Sequence, residues 1–239
     1  ARDADPHRAQ LPAEARVRGP GPRCRSRAAR AGRAHGPAGD RMDTARQPGR
    51  LITTASADVA LKGLSYLLEA MAVLRKDRDI RLTIIGKPRP GHSMDLIDSL
   101  GLRPHIDFVS GVTDERIVEL YAEAELAVVP SLYEGFSLPA IEAMSTGICL
   151  VATDGGALPE VTGTHNETVL QCPAANSEAL AAVIATGLDS AEVRARIGEA
   201  GRQRVISRWT WKHCAELTVE QYREVLDMPH NRLKLEKRR

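Results

Sequence analysis

Residues 130–144 of this chain read PSLYEGFSLPAIEAM, and they connect a strand pattern to a helix pattern. The apolar run 126–129 before them is typical of a buried strand, and residues 138–145 have helical periodicity with Pro139 in the first turn. Gly135, in the loop between them, allows the backbone to approach a ligand closely. The first N–H groups of a helix lack partners within it and carry partial positive charge. This segment therefore predicts a diphosphate-binding loop.

The same alternation of strand and helix extends in both directions from this segment. Short apolar or β-branched runs separated by single helices indicate a parallel sheet with helices on both faces. We therefore predict an α/β, Rossmann-like, doubly wound fold, with ligand-binding residues in the loops that follow the strands. The predicted strands are 51–54, 82–85, 106–109, 126–129 and 148–152, and the predicted helices are 64–74, 94–100, 113–124, 138–145, 177–188, 191–206 and 211–226.

Two glutamates accompany the predicted diphosphate loop. Glu134 lies in the loop, and Glu142 lies about one turn into the helix. Because phosphate would repel a carboxylate, both are better suited to accept hydrogen bonds from sugar hydroxyls. The alternative is purely structural, with Glu134 capping the helix and Glu142 on a solvated face.

Composition excludes several classes of function. Thirty-three Lys and Arg against 31 Asp and Glu leave a net charge of +2, too small to predict nucleic acid as the main partner. No apolar run approaches the roughly 18 residues needed to cross a bilayer. The histidines and four cysteines share no ligand spacing, so we expect no metal held by the protein. Cys149 lies in an apolar run and is interpreted as a reduced core thiol, which favours a reducing compartment.

The two ends of the chain differ from its centre. Residues 1–50 contain twelve arginines and neither lysine nor isoleucine, so we predict a disordered segment. It is interpreted either as a fragment end or misread frame of a GC-rich gene, or as a basic arm for RNA or membrane. Residues 51–226 form the predicted domain, and residues 227–239 form a basic tail.

With these motifs in order, the chain resembles the retaining GT-B glycosyltransferases commonly called family 4. Glu134 to Pro139 with Glu142 resembles that family's pair of glutamates separated by seven residues. Four further segments match in the same order along the chain: Ala60 to Leu64, Leu82 to Gly86, Phe108 to Val112, and Thr153 to Glu160.

The resemblance implies a role for each matching residue. Lys62 is expected to reach the donor diphosphate and offset the charge of the departing nucleotide. Glu134 is expected to contact the donor sugar, and Glu142 the ribose. No covalent nucleophile is assigned, because the family is thought to use front-face attack assisted by the diphosphate. The other donor-binding positions implied are Gly63, Gly86, Gly111, Val112, Gly135, Phe136, Ser137 and Leu138.

The resemblance also implies the reaction and its partners. The expected activity is transfer of a hexosyl group from a UDP- or GDP-sugar, a substrate, so no separate cofactor is expected. The acceptor is an unknown glycan, lipid or small molecule. We expect a cytoplasmic location, with peripheral contact at the inner face of the membrane as an alternative. The rival interpretations are a GT-B sugar-nucleotide epimerase and a ligand-binding module without turnover.

Three departures from the family pattern bear on this interpretation. The family's arginine about five residues before the lysine is missing, since Thr53 to Ala57 contains none. Ser137 replaces a common glycine, and its hydroxyl is a candidate helix cap.

The family has two Rossmann-like domains, and this chain can build only the C-terminal one. The helix predicted at 211–226 is expected to be the one that crosses to the other domain, leaving an exposed apolar face with Trp211, Leu217, Tyr222 and Val225.

Overall fold

A computed structural model describes residues 46–55 and 59–228. Within them, six strands form one parallel sheet in the order β3-β2-β1-β4-β5-β6. The strands are β1 (Arg50–Thr54), β2 (Arg81–Ile85), β3 (Ile106–Val109), β4 (Leu126–Val129), β5 (Cys149–Thr153) and β6 (Leu170–Cys172). The predicted Rossmann-like α/β class is confirmed, because this strand order is that of the doubly wound dinucleotide-binding folds.

Eight α-helices and two short 3-10 helices connect and cover the described strands. The 3-10 helices span Ala60–Lys62 and Arg103–His105. The α-helices are α1 (Leu64–Leu74), α2 (His92–Ser99), α3 (Asp114–Glu123), α4 (Leu138–Ser145), α5 (Leu158–Thr162), α6 (Ser177–Asp189), α7 (Ala191–Arg208) and α8 (Trp211–Asp227).

Both faces of the sheet are covered because neighbouring strand residues point to opposite sides. Leu51 belongs to a core that contains the apolar residues of α1 and α6, whereas Ile52 belongs to a second core with those of α3 and α4. Both side chains are fully buried. This explains why the strands are continuous apolar runs in the sequence.

The five predicted strands and seven predicted helices are all present, with shifts of one or two residues at their ends. The sequence prediction missed β6 and α5. Their spans, Leu170–Cys172 and Leu158–Thr162, are three and five residues long, too short to show a periodic pattern. Cys149 is buried in β5 as expected, and burial raises the pKa of its thiol to about 12.

The last residues of the predicted disordered segment belong to the folded domain. Arg46 donates a hydrogen bond of 2.7 Å to the carbonyl of Ala124, and Gly49 N–H donates one of 2.7 Å to Glu125 Oε2. Residues 46–50 are therefore part of the folded domain, because they donate hydrogen bonds to Ala124 and Glu125, the two residues that follow α3. Residues 1–45 and the tail from 229 onward lie outside the described residues, as do Ser56, Ala57 and Asp58.

The helix α8 has no buried residue. Trp211, Leu217, Tyr222 and Val225 are all exposed, as expected from the sequence. That this helix crosses to another domain stays a prediction. In the part of the chain that the structure describes, no helix is long and apolar enough to span a membrane.

Candidate functional site

The site forms where the sheet changes direction. The chain proceeds outward from β1 to β2 and β3, and then returns to place β4 on the other side of β1. The loops after β1 and β4 consequently leave the carboxyl edge side by side and diverge, which opens a crevice. The first loop carries Lys62 and the second carries Glu134.

Lys62 and Glu134 form an ion pair across this crevice. Lys62 Nζ lies 2.7 Å from Glu134 Oε1, and the two side chains are 32% and 10% exposed. A carboxylate so deeply buried needs compensating partners. The pairing brings together two residues that the sequence analysis singled out for different roles.

Two hydroxyl groups help to fix the Glu134 loop. Ser131 Oγ donates a 2.7 Å hydrogen bond to the same Glu134 Oε1, and Thr153 Oγ1 donates to the carbonyl of Ser131. The backbone of Glu134 also bridges to Gly156, and its carbonyl accepts a 2.8 Å bond from Ala157 N–H. Glu134 is therefore held by both its side chain and its backbone, with one carboxylate oxygen accepting from two donors.

Gly63 positions Lys62 through a close backbone contact. Its φ is +63°, and a Cβ at this position would lie 1.9 Å from the carbonyl oxygen of Pro130. Beside it, Leu132 N–H donates a 2.8 Å hydrogen bond to the carbonyl of Leu61. The structure thus gives Gly63, predicted as a donor-binding residue, a packing role: it allows the loop after β1 to lie against the end of β4.

Helix α4 begins where the sequence predicted, but the predicted side-chain cap is missing. Ser137 precedes the helix, yet its side chain makes no capping bond, and its Oγ has no hydrogen-bond partner within the described residues. The expectation that Ser137 caps the helix is wrong. An N-cap residue normally has extended backbone, whereas Ser137 is left-handed at φ 40°, ψ 78°. Its side chain is nevertheless buried, at 4% exposure.

The loop before α4 is open on its outer side. No atom outside the neighbouring residues lies within 4 Å of a Cβ built at Gly135, and Phe136 and Leu138 are exposed. Phe136 packs edge-on against Trp209, with ring centroids 5.1 Å apart and planes at 79°. Trp209 Nε1 in turn donates a 3.3 Å bond to the carbonyl of Val161. The connection between α7 and α8 thereby supports this loop.

A cavity of about 340 Å³ adjoins the ion pair along the ends of β1, β2 and β3. Lys62, Gly86, Gly111 and Val112 lie in its wall, together with Pro139 of α4. Gly86 is required there because a Cβ would lie 2.2 Å from the carbonyl oxygen of Ala55. Four of the predicted site residues are thus brought into one cavity.

The other predicted residues lie outside that wall. They are Gly63, Glu134, Gly135, Phe136, Ser137, Leu138 and Glu142. Glu142 is partly buried on α4. Sequence reasoning missed Ser131 and the cavity residue Lys87. Lys87 had a usable signal, since it follows Gly86 in the loop after a predicted strand, whereas nothing in the sequence distinguished Ser131.

Across the described residues, no three His, Cys, Asp or Glu side chains are grouped as a metal site would require. The groups that the site offers to a ligand are the ion pair, the amides at the start of α4 and the cavity. Together they suit an anionic ligand with hydroxyl groups.

Comparison with known proteins shows that the chain is similar to proteins named as sugar-transferring enzymes. The family described as glycosyl transferases group 1 matches residues 43–204. An MMP alpha-(1->4)-mannosyltransferase from Mycolicibacterium hassiacum is 44% identical over 178 residues, which are 74% of this chain and 43% of that protein. A D-inositol 3-phosphate glycosyltransferase from Corynebacterium urealyticum is 32% identical over 181 residues, covering 71% of this chain and 42% of the relative.

A solved structure agrees with the fold. Sucrose-phosphate synthase from Thermosynechococcus elongatus superposes with a TM-score of 0.66 at 27% identity, covering 83% of this chain and 48% of that one. The chain thus spans less than half the length of these relatives. The family match, which covers most of the chain, shows that this protein belongs to the glycosyl transferases group 1 family.

Proposed function

We propose that this chain is the C-terminal, nucleotide-sugar-binding half of a retaining GT-B glycosyltransferase of family 4. The proposed reaction is transfer of a hexosyl group from a UDP- or GDP-sugar to a glycan, lipid or small-molecule acceptor. The observation that carries the proposal is the Lys62–Glu134 ion pair, which spans the β1–β4 crevice at 2.7 Å. Mannosyl transfer by the 44% identical relative supports the hexosyl assignment.

The donor diphosphate is proposed to bind at the start of α4. This helix is eight residues long, and its first N–H groups lack partners within it. The backbone N–H groups of Phe136, Ser137 and Leu138 are proposed to donate to the phosphate or sugar oxygens. An open approach at Gly135 supports this, because no side chain obstructs the backbone there.

Lys62 and Glu134 are proposed to exchange partners when the donor binds. In the free chain they neutralise one another. With donor present, the ammonium of Lys62 would contact the diphosphate and the carboxylate of Glu134 would accept hydrogen bonds from sugar hydroxyls. Glu142 is proposed to accept from the ribose hydroxyls.

The reaction itself replaces one bond at the anomeric carbon. The bond from that carbon to the diphosphate oxygen breaks, a bond to the acceptor oxygen forms on the same face, and the acceptor proton passes to the departing diphosphate. Lys62 stabilises the charge that develops on the diphosphate. No residue of this chain is proposed as a covalent nucleophile.

The nucleoside is proposed to occupy the cavity lined by Gly86, Gly111 and Val112. Its volume of about 340 Å³ is at the lower end of the range for small-molecule sites. The acceptor is proposed to bind mainly to a second domain, and the protein is proposed to act in the cytoplasm or at the inner face of the membrane. Turnover by this chain alone is expected to be weak or absent.

Calorimetric titration of the chain with UDP and GDP tests the donor site. We expect weak binding of at least one nucleotide, and about tenfold weaker binding by Lys62→Ala and by Glu142→Ala, since each removes a charged contact. Lys212→Ala, which removes an exposed lysine on α8, is the matched control and should bind as the wild type does. Equal affinity of the wild type and both site variants would refute the assignment.

A further inference from the structure

The cavity beside the ion pair contains a second lysine. Lys87 lines the same wall as Lys62 and directly follows Gly86 at the end of β2. No Asp or Glu of the described residues lies in that wall. The cavity is therefore built for a ligand that carries negative charge.

The two lysines differ in their electrostatic surroundings. The charge of Lys62 is compensated by Glu134 at 2.7 Å. Lys87 is exposed and makes no ion pair with any residue in 46–55 or 59–228. Before ligand binds, Lys87 is thus the lysine of this wall whose positive charge is not balanced by a described carboxylate.

The sheet register places Lys87 between the loop before α4 and the end of the cavity formed by Gly111 and Val112. Thr54 pairs with Ile85 and Ile85 pairs with Val109, so the ends of β1, β2 and β3 form one row. Neighbouring strands are about 4.8 Å apart, and α4 follows β4 on the far side of β1. Lys87 therefore lies one strand farther from α4 than the loop after β1, toward Gly111 and Val112.

We propose that Lys87 is a donor-binding residue that contacts the phosphate nearest the nucleoside, while Lys62 serves the phosphate attached to the sugar. This inference rests on the proposed function and assigns a direction to the nucleotide within the site. It also supplies a second cation where Thr53 to Ala57 contain no arginine. The cation comes from the loop after β2 instead of the loop after β1.

Comparison of mono- and diphosphates tests the assignment. UMP, UDP, GMP and GDP are titrated against the chain and against Lys62→Ala, Lys87→Gln, Lys87→Arg and Lys76→Gln. Lys87→Gln should weaken the monophosphates and diphosphates alike by about fivefold, because the lost contact is charge-assisted but exposed to solvent. Lys87→Arg should retain most of the affinity. Lys76 is the control, since it is exposed in the turn before β2. It therefore lies at the amino ends of the strands, away from the cavity at their carboxyl ends.

The outcomes separate this inference from the proposed function. If Lys62→Ala weakens only the diphosphates and Lys87→Gln binds every nucleotide as Lys76→Gln does, the Lys87 assignment fails and the donor site stands. A loss confined to the diphosphates in Lys87→Gln would also overturn it, since that places Lys87 at the outer phosphate. If the wild-type chain binds none of the four nucleotides, both fail.

Discussion

Lys62 and Glu134 are separated by 72 positions in the sequence, yet Lys62 Nζ lies 2.7 Å from Glu134 Oε1. The contact exists because β1 and β4 are neighbours in the sheet and because Gly63 allows the two loops to touch. It joins the two residues to which the proposed chemistry assigns opposite charges.

Removing one partner of this pair should cost more than removing the charge of both. Lys62→Met leaves a carboxylate that is 10% exposed without its cation, so the free energy of unfolding should fall by about 1 kcal/mol. Lys62→Met/Glu134→Gln should recover part of that loss. Urea unfolding measures both, and a double variant less stable than Lys62→Met would contradict the pairing. The exposed Lys212–Glu216 pair, at 3.8 Å, is the control, where equivalent changes should have no measurable effect.

Gly63→Ala should destabilise the fold much more than an ordinary glycine substitution at positive φ. Gly63 and Gly101 have φ of +63° and +65°, but only the Cβ at Gly63 would meet another atom within 4 Å. We expect a loss of about 1 kcal/mol for Gly101→Ala from backbone strain alone, and about 3 kcal/mol or more for Gly63→Ala. Equal losses for Gly63→Ala and Gly101→Ala in urea unfolding would show that the loop after β1 can move away from Pro130 at little cost.

The contact between Phe136 and Trp209 should appear as a coupling energy. Edge-to-face aromatic pairs contribute about 0.5–1.5 kcal/mol beyond the area that they bury. A double-mutant cycle with Phe136→Leu and Trp209→Leu, measured by urea unfolding, should give a coupling of about 1 kcal/mol. The same cycle with Trp211→Leu, an exposed tryptophan on α8, should give a coupling near zero. A coupling energy of zero in the Phe136–Trp209 cycle would show that Trp209 does not stabilise the loop before α4.

The apolar surface of α8 should contribute little to the stability of this chain. Leu217 and Tyr222 are 57% and 66% exposed, so Leu217→Ser/Tyr222→Ser should change the free energy of unfolding by less than about 0.5 kcal/mol per site. Ile184→Ser, at a fully buried position of α6, should be strongly destabilising. Light scattering should also show less self-association in the α8 variant. A loss of stability comparable to that of Ile184→Ser would show that α8 is packed.

The order of most strands and helices, and the loop that connects β4 to α4, were predictable from the sequence. Apolar runs such as Leu126–Val129 and the helical spacing of Leu64–Leu74 are local patterns, and burial on both faces of a parallel sheet requires them. Elements of three to five residues, β6 and α5, were missed because they are too short to show such a pattern.

Only the tertiary structure decided which of the singled-out residues meet. The strand order places the loops after β1 and β4 side by side, and no local pattern encodes that adjacency. Likewise, the backbone of Ser137 is left-handed in the folded chain, which removes the capping geometry that its residue type suggested. Sequence periodicity reports which face of an element is buried, whereas a site depends on how separate elements are brought together in space.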